Sequence, residues 1–269
     1  MKISCPVTSD YDIEKLTRLG IDEYFFGFMP DFWRKKYSLI NSINRRYTAE
    51  EQLYDEGRIL KLISGYTKYG IRFYMNLNSP LYTSSQLPAI MKLIGKFKKY
   101  GLSGIQVSDI GLILTAKKAF PSLKINVSCV AACLNSECAE FYRKLGAERI
   151  ILERSLTIPE IKNIVSANSN IEFEAFVYPM PPHGCPNIDG LCTHHHSDKK
   201  NTPCIKEKLL LSDNTALSRE SDPLAHIYRL YKAGVNTIKF PDRGSTSEQI
   251  INRYRRIITL IAYLSNQRE

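Results

Sequence analysis

Leu145-Gly146-Ala147-Glu148-Arg149-Ile150-Ile151-Leu152-Glu153-Arg154 reads as the end of a helix, a reversal and a β-strand. Gly146 stands one position past a helical pattern, where a left-handed backbone ends the helix and turns the chain back. Arg149 to Glu153 is then a short apolar run rich in β-branched side chains, the pattern of a strand in a parallel sheet. The same glycine recurs in Leu19-Gly20-Ile21, Tyr69-Gly70-Ile71, Tyr100-Gly101-Leu102 and Ala233-Gly234-Val235. A unit repeated in this form is a helix returning to a sheet.

Working outward, strands are expected at Lys2 to Val7, Glu23 to Phe28, Arg72 to Asn78, Gly104 to Ser108, Lys124 to Cys129, Arg149 to Glu153, Glu172 to Tyr178 and Thr237 to Pro241. Helical spacing follows each strand, at Ile13 to Leu19, Ala49 to Tyr69, Leu87 to Tyr100, Ile110 to Ala119, Ser136 to Leu145, Ile158 to Ala167, Leu224 to Ala233 and Ser247 to Leu264. Eight such units in 269 residues predict an α/β fold, a single (β/α)8 TIM-barrel-like domain over residues 1–269. Periodicity alone does not show closure, so an open doubly wound sheet is the alternative. Two strand-to-helix connections are long, Met29 to Thr48 and Pro179 to Pro223. In a barrel both lie at the C-terminal face, where loops supply binding and catalytic groups.

An apolar content of 43% suffices for a sizeable core. The net charge of +10, from 37 Lys and Arg against 27 Asp and Glu, favours anionic partners such as nucleic acid, phosphorylated metabolites or carboxylates, or simply a basic solvated surface. Basic residues are scattered, as in Arg34-Lys35-Lys36 and Arg253 to Arg256, which argues against a DNA-binding tract. The N-terminus runs straight into a strand without a secretory h-region, and no apolar run is long enough to span a bilayer. A cytoplasmic protein without membrane insertion is expected. In that reducing compartment seven cysteines argue for packing, catalysis or metal binding rather than a disulfide framework.

The second long connection carries Cys185, Cys192 and Cys204 together with His183, His194, His195 and His196. Thiolates and imidazoles are the ligands of zinc and of iron–sulfur clusters, and a Pro- and Gly-containing loop lets them converge. Cys5 and Cys129, near the ends of strands one and five, are candidates for a fourth ligand, as is a loop histidine. Cys133 and Cys138 are read as small buried hydrophobes.

Other groups belong at the expected mouth. Arg45 and Arg46 form a guanidinium pair able to clamp a carboxylate or phosphate. Asn76 and Asn78 alternate on one strand and share a face, where they orient a polar substrate or cap a turn. Arg243 precedes a helix whose N-terminus suits an anion. Glu153 and Asp109 are the candidate catalytic carboxylates. Glu153 and Arg154 are expected on opposite sides of their strand, with Glu153 toward the mouth. Asp109 has helix N-capping as its alternative.

Several of these stretches, taken in order, carry a resemblance. Glu174-Ala-Phe176 precedes Cys185-x4-Gly190-x-Cys192. Tyr24-Phe25-Phe26-Gly27, Asn76, Val107-Ser108-Asp109-Ile110-Gly111-Leu112, Asn135-Ser136-Glu137, Leu145 to Arg154 and Ala233 to Phe240 complete the pattern. The chain resembles the collagenase-like peptidases, peptidase family U32. That resemblance implies a TIM-barrel-like domain whose conserved cysteines bind a 4Fe-4S cluster, with zinc as the alternative metal. It implies oxygen-independent hydroxylation of an organic or RNA substrate, with prephenate the oxygen source in some relatives and an anionic, prephenate-like small molecule or RNA as ligand. The family's ligand pattern maps onto Cys185, Cys192 and Cys204; its fourth place falls near Asp222, not a cysteine, which joins Cys5, Cys129 and the loop histidines as a candidate fourth ligand. The alternatives are the peptidase activity of the family's name and a zinc- or cluster-stabilised accessory subunit working with a hetero-partner of the same family.

Overall fold

Gly20, Gly70, Gly101, Gly146 and Gly234 all take positive φ values, between 83° and 103°, at helix-to-strand returns. The computed structural model describes residues 1–37, 42–46, 51–154, 156–178 and 222–267. Its strands are β1 (Lys2–Pro6), β2 (Glu23–Phe26), β3 (Arg72–Leu77), β4 (Gly104–Val107), β5 (Lys124–Val127), β6 (Arg149–Ile151), β7 (Glu172–Phe176) and β8 (Thr237–Lys239). They pair in chain order, all parallel, and β1 closes on β8 with Ser4 opposite Lys239. This is the closed barrel, not the open sheet.

Helices among the described residues are α1 (Glu14–Arg18), α2 (Asp31–Tyr37), α3 (Glu56–Thr67), α4 (Leu87–Lys98), α5 (Ile110–Ala119), α6 (Ser136–Lys144), α7 (Ile158–Ala167), α8 (Pro223–Lys232) and α9 (Ser247–Asn266). Most begin at a side-chain cap. Asp55, Asp109, Asn135, Thr157, Asp222 and Thr246 each accept a backbone N–H of the first turn. No helix among the described residues is long and apolar enough to cross a membrane.

The barrel strands bury both faces, but with different chemistry. Outward residues such as Ile105, Val107, Ile125, Val127, Ile150 and Ile238 pack with Ile94, Ile113, Ile164, Leu230 and Ile258 of the helices in one continuous apolar layer. Inward positions carry Glu23, Phe25, Tyr74, Gln106, Asn126, Arg149, Glu174 and Lys239, all nine-tenths buried or more. Their contacts cross the barrel: Arg149 of β6 pairs with Glu23 of β2, and Lys239 of β8 donates to Gln106 of β4. Barrel interiors are ordinarily filled by branched apolar side chains. This one is charged.

Two expected boundaries are corrected by tertiary contacts. The helix expected from Ala49 starts at Glu56, because Leu53 N donates to the Gly27 carbonyl (2.9 Å) and Gln52 is drawn into side-chain hydrogen bonds. Helix α2 lies inside the connection read as a long loop. Strands also stop earlier than expected; Cys129 opens a 3-10 turn, Cys129–Ala131, instead of ending β5. The three loop cysteines and four histidines lie outside the described residues.

Candidate functional site at the barrel mouth

Residues 42–46, entering over the end of β2, are held by a tight polar knot. Ser42 Oγ donates to Asn44 Oδ1 (3.1 Å) and to the Arg46 carbonyl (2.9 Å), while Asn44 and Gln52 exchange amide hydrogen bonds of 2.9 Å in both directions. Tyr82 Oη, donating to the Ile43 carbonyl at 2.6 Å, ties the knot to the connection after β3. These bonds hold Arg45 in the left-handed region (φ 55°), which a non-glycine residue adopts only when its surroundings impose it.

The knot sends Arg46 inward. Its guanidinium is 2% exposed, and Nη1 donates to the Glu51 carbonyl at 2.5 Å. Nε and Nη2 are buried and find no hydrogen-bond partner among the described residues. The side chain lies so close to Gly27 that a Cβ there would sit 2.5 Å from both Cδ and Nε. Burial, and then the charge of Arg243, pull the Arg46 pKa well down, with Glu51 opposing. Arginine stays protonated even so. A desolvated cation with two idle donors is complementary to an anion.

Arg243 follows β8 and makes a long ion pair with Glu51 (3.9 Å). Burial lowers its pKa, Glu51 and Cys129 oppose, and the charges of Arg154 and Arg45 add to the lowering. Those mutual influences place Arg45, Arg46, Arg154 and Arg243 around one mouth. Arg154 also lies over the ring of Phe176, 4.5 Å from its centroid. The expectation that Glu153 and Arg154 point to opposite sides is corrected: β6 ends at Ile151, so strand alternation no longer applies, and both line one cleft with Phe176, Tyr178 and His226.

Beneath the arginines lies a row of amides. Asn76, Gln106 and Asn126 are paired neighbours on β3, β4 and β5 and point into the barrel. Asn76 Oδ1, Gln106 Nε2 and Asn126 Nδ2 are buried without partners among the described residues, as are Asn78 Oδ1 and Ser108 Oγ one step higher. Asn78 uses its other amide atom to donate to Ser128 Oγ (3.3 Å). Lys239 Nζ donates to Gln106 Oε1 (3.1 Å) and Glu174 Oε1 (2.8 Å) and lies 3.6 Å from the Phe25 ring centroid. Burial lowers the Lys239 pKa against the pull of Glu174. Burial alone would raise Glu174, yet Lys239 and Arg149 hold its carboxylate below the usual range.

Among the expected ligands and catalytic groups, the structure separates several. Asp109 is the N-cap of α5: Oδ1 accepts Leu112 N (2.6 Å) and Oδ2 accepts Tyr82 N (3.1 Å). Cys5 does not face the mouth. It is fully enclosed in the apolar layer between barrel and helices, where burial pushes its thiol pKa far up and disfavours the thiolate a metal needs. Cys129 is partly exposed and lies near enough to Lys239 and Arg243 to act on the pKa of both, so it does belong to the mouth. Asp222 caps α8 through Leu224 N (3.0 Å), at the edge of the residues described.

Sequence reasoning missed Lys239, Gln106, Asn126 and the Glu23–Arg149–Glu174 chain. Charged or amide residues in the middle of parallel strands were the available signal, since such positions are normally apolar.

A closed parallel barrel with four arginines gathered at its C-terminal face defines a (β/α)8 protein with a cationic mouth. The chain belongs to Peptidase family U32, whose family model matches residues 13–268. It is 28% identical to the tRNA hydroxylation protein P of Escherichia coli over 109 residues, 40% of this chain and 24% of that protein. Against the 23S rRNA 5-hydroxycytidine synthase of Escherichia coli it is 25% identical over 244 residues, 80% of this chain and 34% of that protein. The matches thus span between about a quarter and a third of these relatives' own lengths. Among solved structures, a U32 peptidase aligns over 66% of this chain and 69% of its own, with 14% identity and a TM-score of 0.49.

Proposed function

We propose that this protein takes part in oxygen-independent hydroxylation of RNA, with its barrel mouth holding an anionic group of the substrate or of a small carboxylate oxygen donor. The observation that carries the reading is Arg46, a buried guanidinium with two idle donors among Arg45, Arg154 and Arg243. A phosphate or carboxylate satisfies both donors at once, which water cannot do with charge. Relatives named for tRNA hydroxylation and for 5-hydroxycytidine synthesis supply the reaction class.

The thiols Cys185, Cys192 and Cys204 are the residues to hold a 4Fe-4S cluster. Three thiolates suit such a cluster with one iron left for another ligand, and Cys129 is the thiol among the described residues that lies at the mouth. When bound, the cluster supplies one-electron redox chemistry and an exchangeable iron position. The chain's own groups do the rest. The arginines bind and orient the anion, the Asn76–Gln106–Asn126 row presents donors and acceptors to a neutral polar group, and Lys239 holds a proton under the mouth.

Two measurements test this reading. Anaerobically purified protein is expected to carry about four irons and four sulfides, with broad visible absorption that Cys192→Ala removes; zinc alone, or no metal, overturns the cluster. Nucleosides from RNA of cells with and without the intact gene are expected to differ by a hydroxylated pyrimidine. Identical nucleoside profiles overturn the RNA reading, and peptide cleavage that survives loss of the cysteines would replace it with the peptidase of the family's name.

A further inference from the structure

The connection from β5 and the first turn of α6 carry Cys129, Cys133 and Cys138, three of the chain's seven cysteines. The cation-facing Cys129 belongs to the mouth; the other two are neither at the mouth nor simply core. We propose that Cys133 and Cys138 are a redox-active dithiol that closes to a disulfide, Cys138 reacting first and Cys133 resolving.

The local fold brings them together. Ala132, in the left-handed region at φ 53°, reverses the chain after the 3-10 turn, and Asn135 then caps α6 by accepting Cys138 N at 2.9 Å. Cys138 therefore stands in the first turn of α6, and Asn135 gathers the two cysteines, each thiol close enough to act on the other's charge. Cys133 Sγ lies 3.8 Å from the Asn135 carbonyl and is 1% exposed, while Cys138 is only partly buried. One sulfur is reachable and its partner is sequestered beside it, which is the arrangement of an attacking and a resolving thiol. The Cys133 thiol and the Leu134 N–H favour the Cys138 thiolate, bringing its pKa down to about 7, whereas Cys133 is pushed up.

The chemistry balances with a low-molecular-weight disulfide as oxidant. The Cys138 thiolate attacks it, forming a mixed disulfide and releasing one thiolate. Cys133 then loses its proton and attacks the Cys138 sulfur, expelling the second thiolate; two protein thiols become one S–S bond and the oxidant is reduced to two thiols. The link would tie the turn bearing Cys129 to the start of α6, and so fix one wall of the mouth.

Trypsin releases Ile125 to Arg143 as a single peptide containing Cys129, Cys133 and Cys138 and no other cysteine. The native full-length protein is treated with oxidised glutathione, alkylated, digested and sequenced by tandem mass spectrometry. The expected product has alkylated Cys129 and a Cys133–Cys138 link. In Cys133→Ala, checked for native circular dichroism, Cys138 is expected to stall as a glutathione adduct. Three alkylated cysteines in the wild-type peptide, or a link that uses Cys129, overturns the proposal.

Discussion

A Cβ placed on Gly27 would lie 2.5 Å from Arg46 Cδ and Nε, so the absence of a side chain at the end of β2 is what lets this guanidinium cross into the mouth. Gly27→Ala is therefore expected to displace Arg46 while leaving the barrel closed. Overpacking of this kind costs about 1–3 kcal/mol, and loss of a charge-assisted pair weakens anion binding by roughly tenfold or more. RNA binding and dicarboxylate binding, measured on the same folded preparation, check this. Unchanged affinity for both would remove Arg46 from the site. Arg46→Lys is expected to bind poorly as well, because a point charge cannot offer the paired Nε and Nη2 donors.

The barrel was legible because each unit announces itself locally. Gly146 followed by Arg149-Ile150-Ile151 states a helix end and a strand without help from the rest of the chain, and the structure keeps both. The start of α3 was not legible, because the helix-favouring run after Ala49 is overruled by Leu53 bonding to Gly27 across the knot. Arg45, Arg46, Asn76 and Arg243 could be placed near one mouth from strand order alone. The partnership of Arg149 with Glu23 could not: it joins residues 126 positions apart across the barrel, and nothing in either strand names the other.

Arg149 pairs with both carboxylate oxygens of Glu23 and donates to Glu174 (3.0 Å) and Glu172 (2.7 Å), and both of its inner partners are fully buried. Removing only the cation leaves Glu23 buried without a counter-charge and Glu174 with Lys239 alone, a situation that costs about 3–5 kcal/mol. Arg149→Met should lower the unfolding free energy by that amount, seen as a lower urea midpoint with little change in the slope. Adding Glu23→Gln is expected to recover part of the loss, since a neutral amide needs no counter-charge, whereas Glu174 must stay charged to pair with Lys239. If Arg149→Met alone is neutral, the charged interior is not held as a paired network.

Glu172 provides a pH test. Burial would raise its pKa, but hydrogen bonds from Lys2 and Arg149 and their charges hold it down, from 4.5 to about 2. The folded value lies below the unfolded one, so the unfolded chain binds the proton more readily. Stability from this group is complete above about pH 4.5 and is lost as pH falls toward about 2. Its side chain is 40% exposed, so solvent screening limits the contribution to roughly 1–2 kcal/mol. Thermal melts from pH 6 downward should show a shallower acid slope for Glu172→Gln than for the wild type; identical slopes would show that the ion pairs contribute nothing.

Asp109 and Glu153, paired by sequence as acid–base candidates, occupy different situations, and their variants should part company. Both carboxylate oxygens of Asp109 accept backbone N–H groups, from Leu112 and Tyr82, so it joins the start of α5 to the connection whose Tyr82 hydroxyl braces the arginine knot. Asp109→Ala is expected to cost about 1–2 kcal/mol of stability, as for a lost N-cap. Asp109→Ser retains a cap for Leu112 but is too short to reach Tyr82 as well, and should fall between. Neither should change the pH profile of the proposed RNA modification per folded molecule. Glu153 is buried and lines one cleft with Arg154 and His226. Glu153→Gln preserves its shape and removes its titration, so a proton-transfer role would appear as a lost pH-dependent limb at unchanged stability. A lost limb in Asp109→Ser with Glu153→Gln unaffected would reverse the two assignments.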